Sequence, residues 1–319
     1  MLTQHFAVLI FSVGVAVPSA SIVSAQNYPN KPIRVVTNEA GGSTDFIARI
    51  AAQGMSEPLG QPIIIENRPS GVVGEIAAKA LPDGYSLLVA ANALWIAPLV
   101  EKKSYDAIRD FAPITTLASL PNILVVHPSV AATSAKELIA LARAKSGTLN
   151  YASGLAGTST HLSGELFNSM AGVKIVGIPY KGGAAAVNDL LGGHVQLMFA
   201  SAASVAPHIK SGKLRALAVT SAEPSVLFPG LPAVAASGLP GYEVVTLYCL
   251  FAPAKTPTPI VDRLNREVGR VISRKDVIEK LLNSGAEPVA SSPAQLAAKV
   301  KGDVVRWGKV LKELGLRPE

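Results

Sequence analysis

Short apolar runs alternate with segments of helical period along most of the chain. The apolar runs that predict strands are residues 33–36, 63–65, 87–90, 123–126, 175–178, 195–199 and 214–219. The segments with helical spacing are residues 46–55, 135–144, 162–170 and 184–191. Because strands joined through helices usually pair in parallel, this alternation predicts an α/β fold with parallel-rich sheets covered by helices. Such sheets bind ligands beyond the carboxyl ends of their strands.

Two segments rich in proline and small residues interrupt the alternation. Residues 127–134 separate a predicted strand from a predicted helix, and residues 228–241 contain several Pro and Gly. If the chain passes between two lobes at both places, the first lobe combines residues 26–126 with 247–319, and the second lobe is residues 127–246. Two such crossings form a hinge.

Residues 1–25 have the pattern of a secretory signal. Residues 6–17 form its apolar core, and residues 23–25 form a small-residue cleavage site. The segment before the core lacks Lys and Arg, so a buried N-terminal helix or a misassigned start is the alternative interpretation. The apolar run is too short to span a membrane. We therefore expect a soluble protein of a Gram-negative periplasm, with the signal removed after Ala25.

Charge and cysteine content exclude several classes of function. The chain has 29 Lys and Arg against 22 Asp and Glu, a net charge of +7 that favours acidic ligands through long-range steering. Aromatic residues are only 5% and the basic residues are dispersed, so we expect no nucleic-acid partner. The lone Cys249 excludes an internal disulfide and a multi-thiolate metal site, and the histidines lack metal-ligand spacing. We expect neither a metal nor another cofactor.

A turn of glycine and hydroxyl residues follows the first predicted strand. It reads Ala-Gly-Gly-Ser-Thr-Asp over residues 40–45, and its candidate ligand-binding residues are Gly42, Ser43, Thr44 and Asp45. Small residues at a helix start leave backbone N–H groups pointing outward at the positive end of the helix dipole, which suits a carboxylate. Asp45 either complements the helix start or accepts a hydrogen bond from a ligand amine or hydroxyl. The turn lacks the Gly-x-x-x-x-Gly-Lys pattern of a nucleotide loop.

A second turn of the same kind lies in the other half of the chain. Its candidate ligand-binding residues are Gly157, Thr158, Ser159, Thr160 and His161. Two such turns predict a cleft that grips a small anion from both sides. We interpret His161 as a structural or ligand-donating residue, and the alternative is a catalytic base acting on Ser159 or Thr160. The sequence does not match the Gly-x-Ser-x-Gly pattern of a nucleophile elbow.

Two further strand ends carry candidate ligand-binding residues. Tyr180, Lys181 and Gly182 lie between a predicted strand and the following helix. Tyr180 can line a pocket, whereas Lys181 either offers its charge to an acidic ligand or lies on the surface. Asn92 follows the strand at residues 87–90 and is the fourth candidate.

Several short motifs run in order over nearly the whole of the chain beyond the signal. They include Tyr-Pro-Asn-Lys-Pro-Ile-Arg at 28–34, Glu-Asn-Arg-Pro at 66–69, Leu-Pro-Asp-Gly-Tyr-Ser-Leu-Leu at 81–88, Leu-Asn-Tyr-Ala-Ser at 149–153 and Ala-Pro-Ala-Lys-Thr-Pro at 252–257. With the two glycine and hydroxyl turns, the chain resembles the Bug family, the extracytoplasmic solute receptors of tripartite tricarboxylate transporters.

The resemblance implies a two-lobed periplasmic binding protein of type II-like form, with a mixed sheet flanked by helices in each lobe and a ligand cleft between them. In that family, backbone amides, hydroxyls and waters hold the ligand carboxylate, here at residues 42–45 and 157–161 with 180–182 nearby. The receptor closes over its ligand and delivers it to one large and one small membrane subunit. We expect a monomer that binds a di- or tricarboxylate, an aromatic acid or an acidic amino acid.

Other interpretations stay open beside this receptor function. One is a periplasmic hydrolase or transferase that uses His161 with Ser159 or Thr160. Another is a ligand sensor that presents its closed form to a membrane signalling protein, which only the identity of its partner separates from a transport receptor. The chain also departs from the family pattern at Asn38 and Glu39. These two residues add polar contacts to the ligand, or Glu39 is simply solvated.

Overall fold

The computed structural model describes residues 28–154, 157–313 and 315. The strands in these residues are β1 (Ile33–Thr37), β2 (Ile63–Asn67), β3 (Ser86–Ala91), β4 (Phe111–Val126), β5 (Asn150–Ser153), β6 (Val176–Pro179), β7 (Leu197–Ser201), β8 (Arg215–Val219), β9 (Val245–Pro253) and β10 (Glu287–Pro288). The helices are α1 (Ser43–Leu59), α2 (Val73–Ala78), α3 (Ala93–Ile96), α4 (Ala135–Ala144), α5 (Ser159–Ala171), α6 (Gly183–Leu191), α7 (Ala202–Lys210), α8 (Thr258–Ile272), α9 (Lys275–Asn283) and α10 (Pro293–Glu313). None of these helices is long and apolar enough to cross a membrane. The predicted signal, residues 1–25, lies outside the described residues.

The strands form two mixed sheets that share β4. The first sheet has the order β2-β1-β3-β9-β4, and β10 also pairs with β4. Its strands β1, β2 and β3 are parallel, whereas β9 runs antiparallel to both β3 and β4. In the second sheet β4 pairs antiparallel with β7 and β8, while β5 pairs parallel with β6 and β7. The predicted two-lobed α/β fold with a mixed sheet in each lobe is confirmed.

The strand β4 passes from one sheet to the other near Pro121. Up to that residue β4 pairs with β9, and from Asn122 onward it pairs with β7 and β8. The chain returns to the first sheet at the start of β9. Thr220 ties the two crossings together, because its hydroxyl accepts the Asn122 N–H at 2.8 Å and donates to the Val244 carbonyl at 2.6 Å. The predicted lobe limits lie a few residues beyond these crossings and stay predictions.

Helices bury both faces of the first sheet. On one face α1 and α8 pack together through buried side chains such as Ile47 and Leu264. On the other face α2, α3 and α10 cover the strands. The apolar cluster on that second face contains Trp95 and Trp307 of the first lobe and also Phe167 in α5 of the second lobe. The two lobes therefore share one continuous apolar cluster on the side of α3, α5 and α10.

The single cysteine lies in β9, an inner strand of the first sheet. Cys249 is fully buried, and its sulfur lies 4.0 Å from the hydroxyl oxygen of Thr116. Burial raises the pKa of the Cys249 thiol to about 12. The thiol is therefore protonated at neutral pH, and Cys249 is an inert residue of the core.

Candidate functional site

The carboxyl ends of the parallel strands in both sheets point toward the crossing of β4 and β9. In the first sheet Ala91, at the end of β3, pairs with Tyr248 near the start of β9. In the second sheet Ser201, at the end of β7, pairs with Asn122 at the crossing. Since β1 and β2 run parallel to β3, and β5 and β6 run parallel to β7, these six strand ends border one cleft. Each predicted ligand-binding turn follows one of these ends.

The first turn leads into helix α1, which begins at Ser43 without a capping side chain. Gly41 has a φ of 84°, a backbone conformation that favours glycine, and Gly42 is extended. The N–H groups of Ser43, Thr44 and Asp45 therefore have no helical partner and lie at the positive end of the helix dipole. The Ser43 side chain is exposed, whereas the side chains of Thr44 and Asp45 are buried. The turn thus offers mainly backbone donors to an anion.

Asp45 turns its carboxylate inward, away from the cleft. It accepts hydrogen bonds from the Gly41 N–H at 2.9 Å, from Arg49 at 3.0 Å and from the Asn67 side-chain amide at 2.8 Å. Although burial alone would raise the pKa of Asp45, the hydrogen bonds from Arg49, Asn67 and Gly41 hold it below its ordinary value. Through these hydrogen bonds, Asp45 connects Gly41 of the first turn with Arg49 in α1 and with Asn67 at the end of β2.

We expect Asp45→Asn to destabilise the protein by about 1.5–3 kcal/mol at neutral pH, because hydrogen bonds to a charged acceptor are lost. Folding lowers the pKa of Asp45. The ionised Asp45 carboxylate therefore contributes its full stabilisation above the pKa of an Asp side chain in the unfolded chain, about 3.9. This contribution is lost as the pH falls through the lower pKa that Asp45 has in the folded protein. Urea unfolding from neutral to acid pH measures this difference. Asp276→Asn removes an exposed carboxylate paired with Arg274 and is the control with the smaller expected loss. Equal losses for the two variants would contradict this role of Asp45.

The second turn leads into helix α5, which begins at Ser159. The hydroxyl of Thr158 caps the helix by accepting the His161 N–H at 3.5 Å. The Gly157 N–H is directed at Nδ1 of His161 at 3.4 Å. The N–H groups of Ser159 and Thr160 are the donors that the first turn of α5 leaves for a ligand, and the helix dipole lies behind them.

The surroundings of His161 do not assemble a catalytic pair. Burial lowers the pKa of His161 and the nearby Glu165 carboxylate opposes that effect, so the imidazole is neutral at neutral pH. Its Nδ1 faces the Gly157 N–H. Within the described ranges, no hydrogen bond joins the imidazole to the hydroxyl of Ser159 or Thr160. The hydrolase interpretation gains no support from this geometry.

A cavity of about 450 Å³ lies between the two lobes at the second turn. The second lobe lines it with Gly157, Thr158 and Ser159, and the first lobe lines it with Asn92. The Asn92 side-chain amide donates to the Val245 carbonyl at 3.0 Å, which holds it at the start of β9. Four of the predicted ligand-binding residues therefore meet in one cavity. No cluster of three or more His, Cys, Asp or Glu suited to a metal occurs in the part of the chain that the structure describes.

The first turn borders a different cavity, of about 250 Å³, which Gly42, Ser43 and the exposed Phe46 help to line. A third cavity, of about 240 Å³, adjoins the 450 Å³ cavity through shared lining residues, and Asn38 lines it. Among the described residues, the buried Oδ1 of Asn38 has no hydrogen-bond partner. The carboxylate of Glu39 accepts the N–H and the hydroxyl of Ser70 at 2.8 and 2.6 Å. The two predicted turns thus lie on one cleft but in separate cavities.

The third turn does not line the 450 Å³ cavity. The Tyr180 hydroxyl donates to the Asp189 carboxylate at 2.7 Å, and burial together with Asp189 raises the pKa of Tyr180 to about 12. Lys181 and Gly182 are exposed. The roles of Tyr180, Lys181 and Gly182 as ligand contacts stay predictions.

Sequence reasoning missed the apolar wall of the 450 Å³ cavity. Ile96 at the end of α3 and Trp307 and Leu311 in α10 form part of that wall. The stripe of apolar residues on α10 is visible in the sequence, but a stripe predicts only that a helix face is buried. Which strand ends α10 approaches depends on contacts between residues far apart in the chain.

Comparison with known proteins places the chain among solute receptors. The family described as "Tripartite tricarboxylate transporter family receptor" matches residues 47–316. Protein BugT of Bordetella pertussis is 35% identical over 317 residues, which cover 97% of this chain and 96% of that protein. The structure of R. palustris Rpa4515 with adipate is 35% identical, covers 92% of this chain and all of that chain, and superposes with a TM-score of 0.69. A TctC solute binding protein from Polaromonas with no ligand is 26% identical, covers 90% of this chain and 99% of that chain, and gives a TM-score of 0.83.

Proposed function

Because the chain belongs to the family of tripartite tricarboxylate transporter receptors, we propose that it binds a small carboxylate in the 450 Å³ cavity and delivers it to a membrane transporter. The observation that carries the proposal is the meeting of the α5 N-terminus with Asn92 of the other lobe in one cavity. Ser159 lines this cavity, whereas Thr160 and His161 do not. The N–H groups of Ser159 and of the adjacent Thr160 suit a carboxylate, since hydrogen bonds to a charged acceptor are stronger than neutral ones and the helix dipole adds to them. The adipate bound to the R. palustris relative supports the same ligand class.

We infer that closure of the lobes brings the first turn to the same ligand. The N–H groups of Ser43, Thr44 and Asp45 border the cleft but lie outside the 450 Å³ cavity. The structure superposes better on the ligand-free Polaromonas protein than on the adipate complex, although the latter has the higher sequence identity. This difference supports an open arrangement of the lobes. A ligand that contacts both lobes favours the closed form by its differential affinity.

The receptor function also defines where the chain works and with which partners. Members of the family are periplasmic receptors, and we propose that the predicted signal directs this chain to the periplasm, with cleavage after Ala25. There it acts as a monomer and hands its ligand to one large and one small membrane subunit. We assign it no catalytic step.

A thermal unfolding screen tests the proposed function. The protein is unfolded and refolded to remove any bound molecule and is then heated with each of a series of mono-, di- and tricarboxylates, aromatic acids and acidic amino acids. We expect one class of acid to raise the melting temperature in a concentration-dependent way, because a ligand that binds only the folded state stabilises it.

The matched control is the carboxamide of each acid that binds. It keeps the size and shape of the acid but removes the charge that the α5 N-terminus recognises. We expect the carboxamide to leave the melting temperature unchanged. Equal stabilisation by acid and carboxamide, or no stabilisation by any acid, would overturn carboxylate binding.

A further inference from the structure

Polar groups from both lobes line the 450 Å³ cavity. The second lobe contributes the start of α5 at Ser159, with its backbone N–H groups and the positive end of the helix dipole. The first lobe contributes Asn92, Glu101 and Thr246. Among the described residues that line this cavity, Glu101 is the single ionisable one. The cavity therefore lies between the positive end of a helix dipole on one lobe and a carboxylate on the other.

Glu101 also lines the adjoining 240 Å³ cavity, whose lining residues all belong to the first lobe. Lys103 is the one basic residue among the described residues around the two cavities, and its Nζ lies 2.8 Å from Oε2 of Glu101. In the described part of the chain, Oε1 of Glu101 has no ion pair or hydrogen bond. The Glu101 carboxylate therefore keeps one oxygen that can accept a hydrogen bond from a ligand.

Asn38 provides a second acceptor without a partner. It follows β1 and lines the 240 Å³ cavity, and no described residue donates to its buried Oδ1. The neighbouring Glu39 carboxylate is held by the N–H and the hydroxyl of Ser70, which lines the same cavity. A buried acceptor without a donor is unfavourable, so a ligand that brings a donor to this cavity gains affinity.

From these contacts we propose, resting on the proposed function, that the ligand carries an ammonium group separated from its carboxylate by a carbon chain. The carboxylate binds at the start of α5, and the ammonium binds Oδ1 of Asn38 and the carboxylate of Glu101. An ammonium has three N–H donors and a positive charge, which suit an amide oxygen beside a carboxylate. The carbon chain lies along the apolar wall of Ile96, Trp307 and Leu311.

The two charged groups of such a ligand are held by different lobes. The ligand therefore interacts more strongly with the closed form than with the open one, which is the condition for a ligand to drive closure. A ligand with a second carboxylate can place it at the N–H groups of the first turn. The assignment of the ammonium to Asn38 and Glu101 thus does not depend on the number of carboxylates.

Calorimetric titration of the refolded protein with ω-amino acids tests the ammonium site. The probes are 4-aminobutanoate, 5-aminopentanoate and 6-aminohexanoate. Their matched controls are pentanoate, hexanoate and heptanoate, in which a methyl group replaces the ammonium. We expect the tightest-binding amino acid to bind at least tenfold more tightly than its methyl counterpart.

Two results would overturn the inference and leave carboxylate binding intact. One is equal or tighter binding of the methyl counterpart, and the other is binding of acids from the thermal screen but of none of these six compounds. Absence of binding by every acid in both experiments would instead remove the proposed function, and the ammonium site with it.

Glu101→Gln keeps the shape of the side chain and removes its charge. We expect this variant to raise the Kd for the ω-amino acid at least fivefold and to leave the Kd for its methyl counterpart unchanged. Glu279→Gln is the control, because Glu279 is exposed on α9 and lines neither cavity. An equal change for both ligands, or the same change in both variants, would show that Glu101 does not bind the ammonium.

Asn38→Leu removes Oδ1 with little change in side-chain size. In the free protein this oxygen accepts no hydrogen bond from a described residue, so we expect the melting temperature without ligand not to fall. The Kd for the ω-amino acid should rise at least tenfold. A lower melting temperature would show that the oxygen already has a partner in the free protein, and an unchanged Kd would exclude Asn38 from the site. Either result would overturn the role of Asn38.

Discussion

Replacement of Ser159 by aspartate is expected to raise the Kd for the carboxylate ligand at least 100-fold. The new carboxylate would stand at the start of α5, where the ligand binds the N–H groups of Ser159 and Thr160. Repulsion between two like charges and competition for the same donors together cost about 3 kcal/mol, which corresponds to that factor. Folding would not suffer, because an acidic residue in the first turn of a helix adds about 0.3–1 kcal/mol of stability. Calorimetric titration and urea unfolding of the same variant measure the two effects.

Ser134→Asp is the control for this variant. Ser134 caps α4, where its side chain accepts the Glu137 N–H. Aspartate there makes the same change in net charge at another helix start, which does not line the 450 Å³ cavity. We expect the control to bind the ligand with wild-type affinity. Unchanged affinity in Ser159→Asp, with its melting temperature maintained, would exclude the α5 N-terminus as the carboxylate site.

Gly164→Ala is expected to destabilise the protein by about 1–3 kcal/mol, the range for an overpacked core. Gly164 is buried in the middle of α5 against the ring of Tyr151. An added Cβ would stand 2.3 Å from two ring carbons of Tyr151, a distance that the packing cannot accept. The Tyr151 ring cannot readily move, because it is buried and its hydroxyl donates to Glu165 at 2.7 Å. Denaturant unfolding measures the loss, and we expect ligand affinity to fall as well because α5 carries the second turn.

Gly269→Ala is the matched control in another helix. Gly269 lies inside α8, and an added Cβ would meet no atom within 4 Å. Since alanine is the better helix former by up to about 1 kcal/mol, this variant should be slightly more stable than the wild type. If both substitutions changed stability by the same amount, close packing of α5 against Tyr151 would not be the cause.

The alternating pattern predicts seven of the ten described strands at least in part, but it misses β5, β9, β10 and most of β4. The pattern predicts a strand only over residues 123–126, yet β4 begins at Phe111 and also includes Pro113 and Pro121. Proline usually argues against an inner strand because it lacks the N–H that a ladder needs. The structure accommodates Pro113 next to a shift in register and Pro121 at the change of sheet partners. Such irregularities depend on the partner strands, so a local pattern cannot reveal them.

Local sequence predicts the second turn of the candidate site better than it predicts the apolar wall of the 450 Å³ cavity. The second turn is recognisable because glycine and hydroxyl residues before an apolar stripe are typical of a helix start, and α5 begins there. The sequence leaves two interpretations of Asp45 open. The inward direction of its carboxylate follows from the hydrogen bond with Asn67, which lies in β2, 22 residues further along the chain. The wall of Ile96, Trp307 and Leu311 joins segments about 200 residues apart in the chain, and no periodicity encodes that contact.

The burial of Cys249 makes the movement of the two lobes accessible to spectroscopy. The Cys249 side chain is fully buried, and its raised pKa keeps the thiol protonated. Thiol-directed dyes therefore do not react with Cys249 in the folded protein. A cysteine introduced on the surface of each lobe would therefore be labelled selectively on the natural background. Energy transfer between two such dyes would report the distance between the lobes with and without ligand, while the inner strand keeps its native side chain.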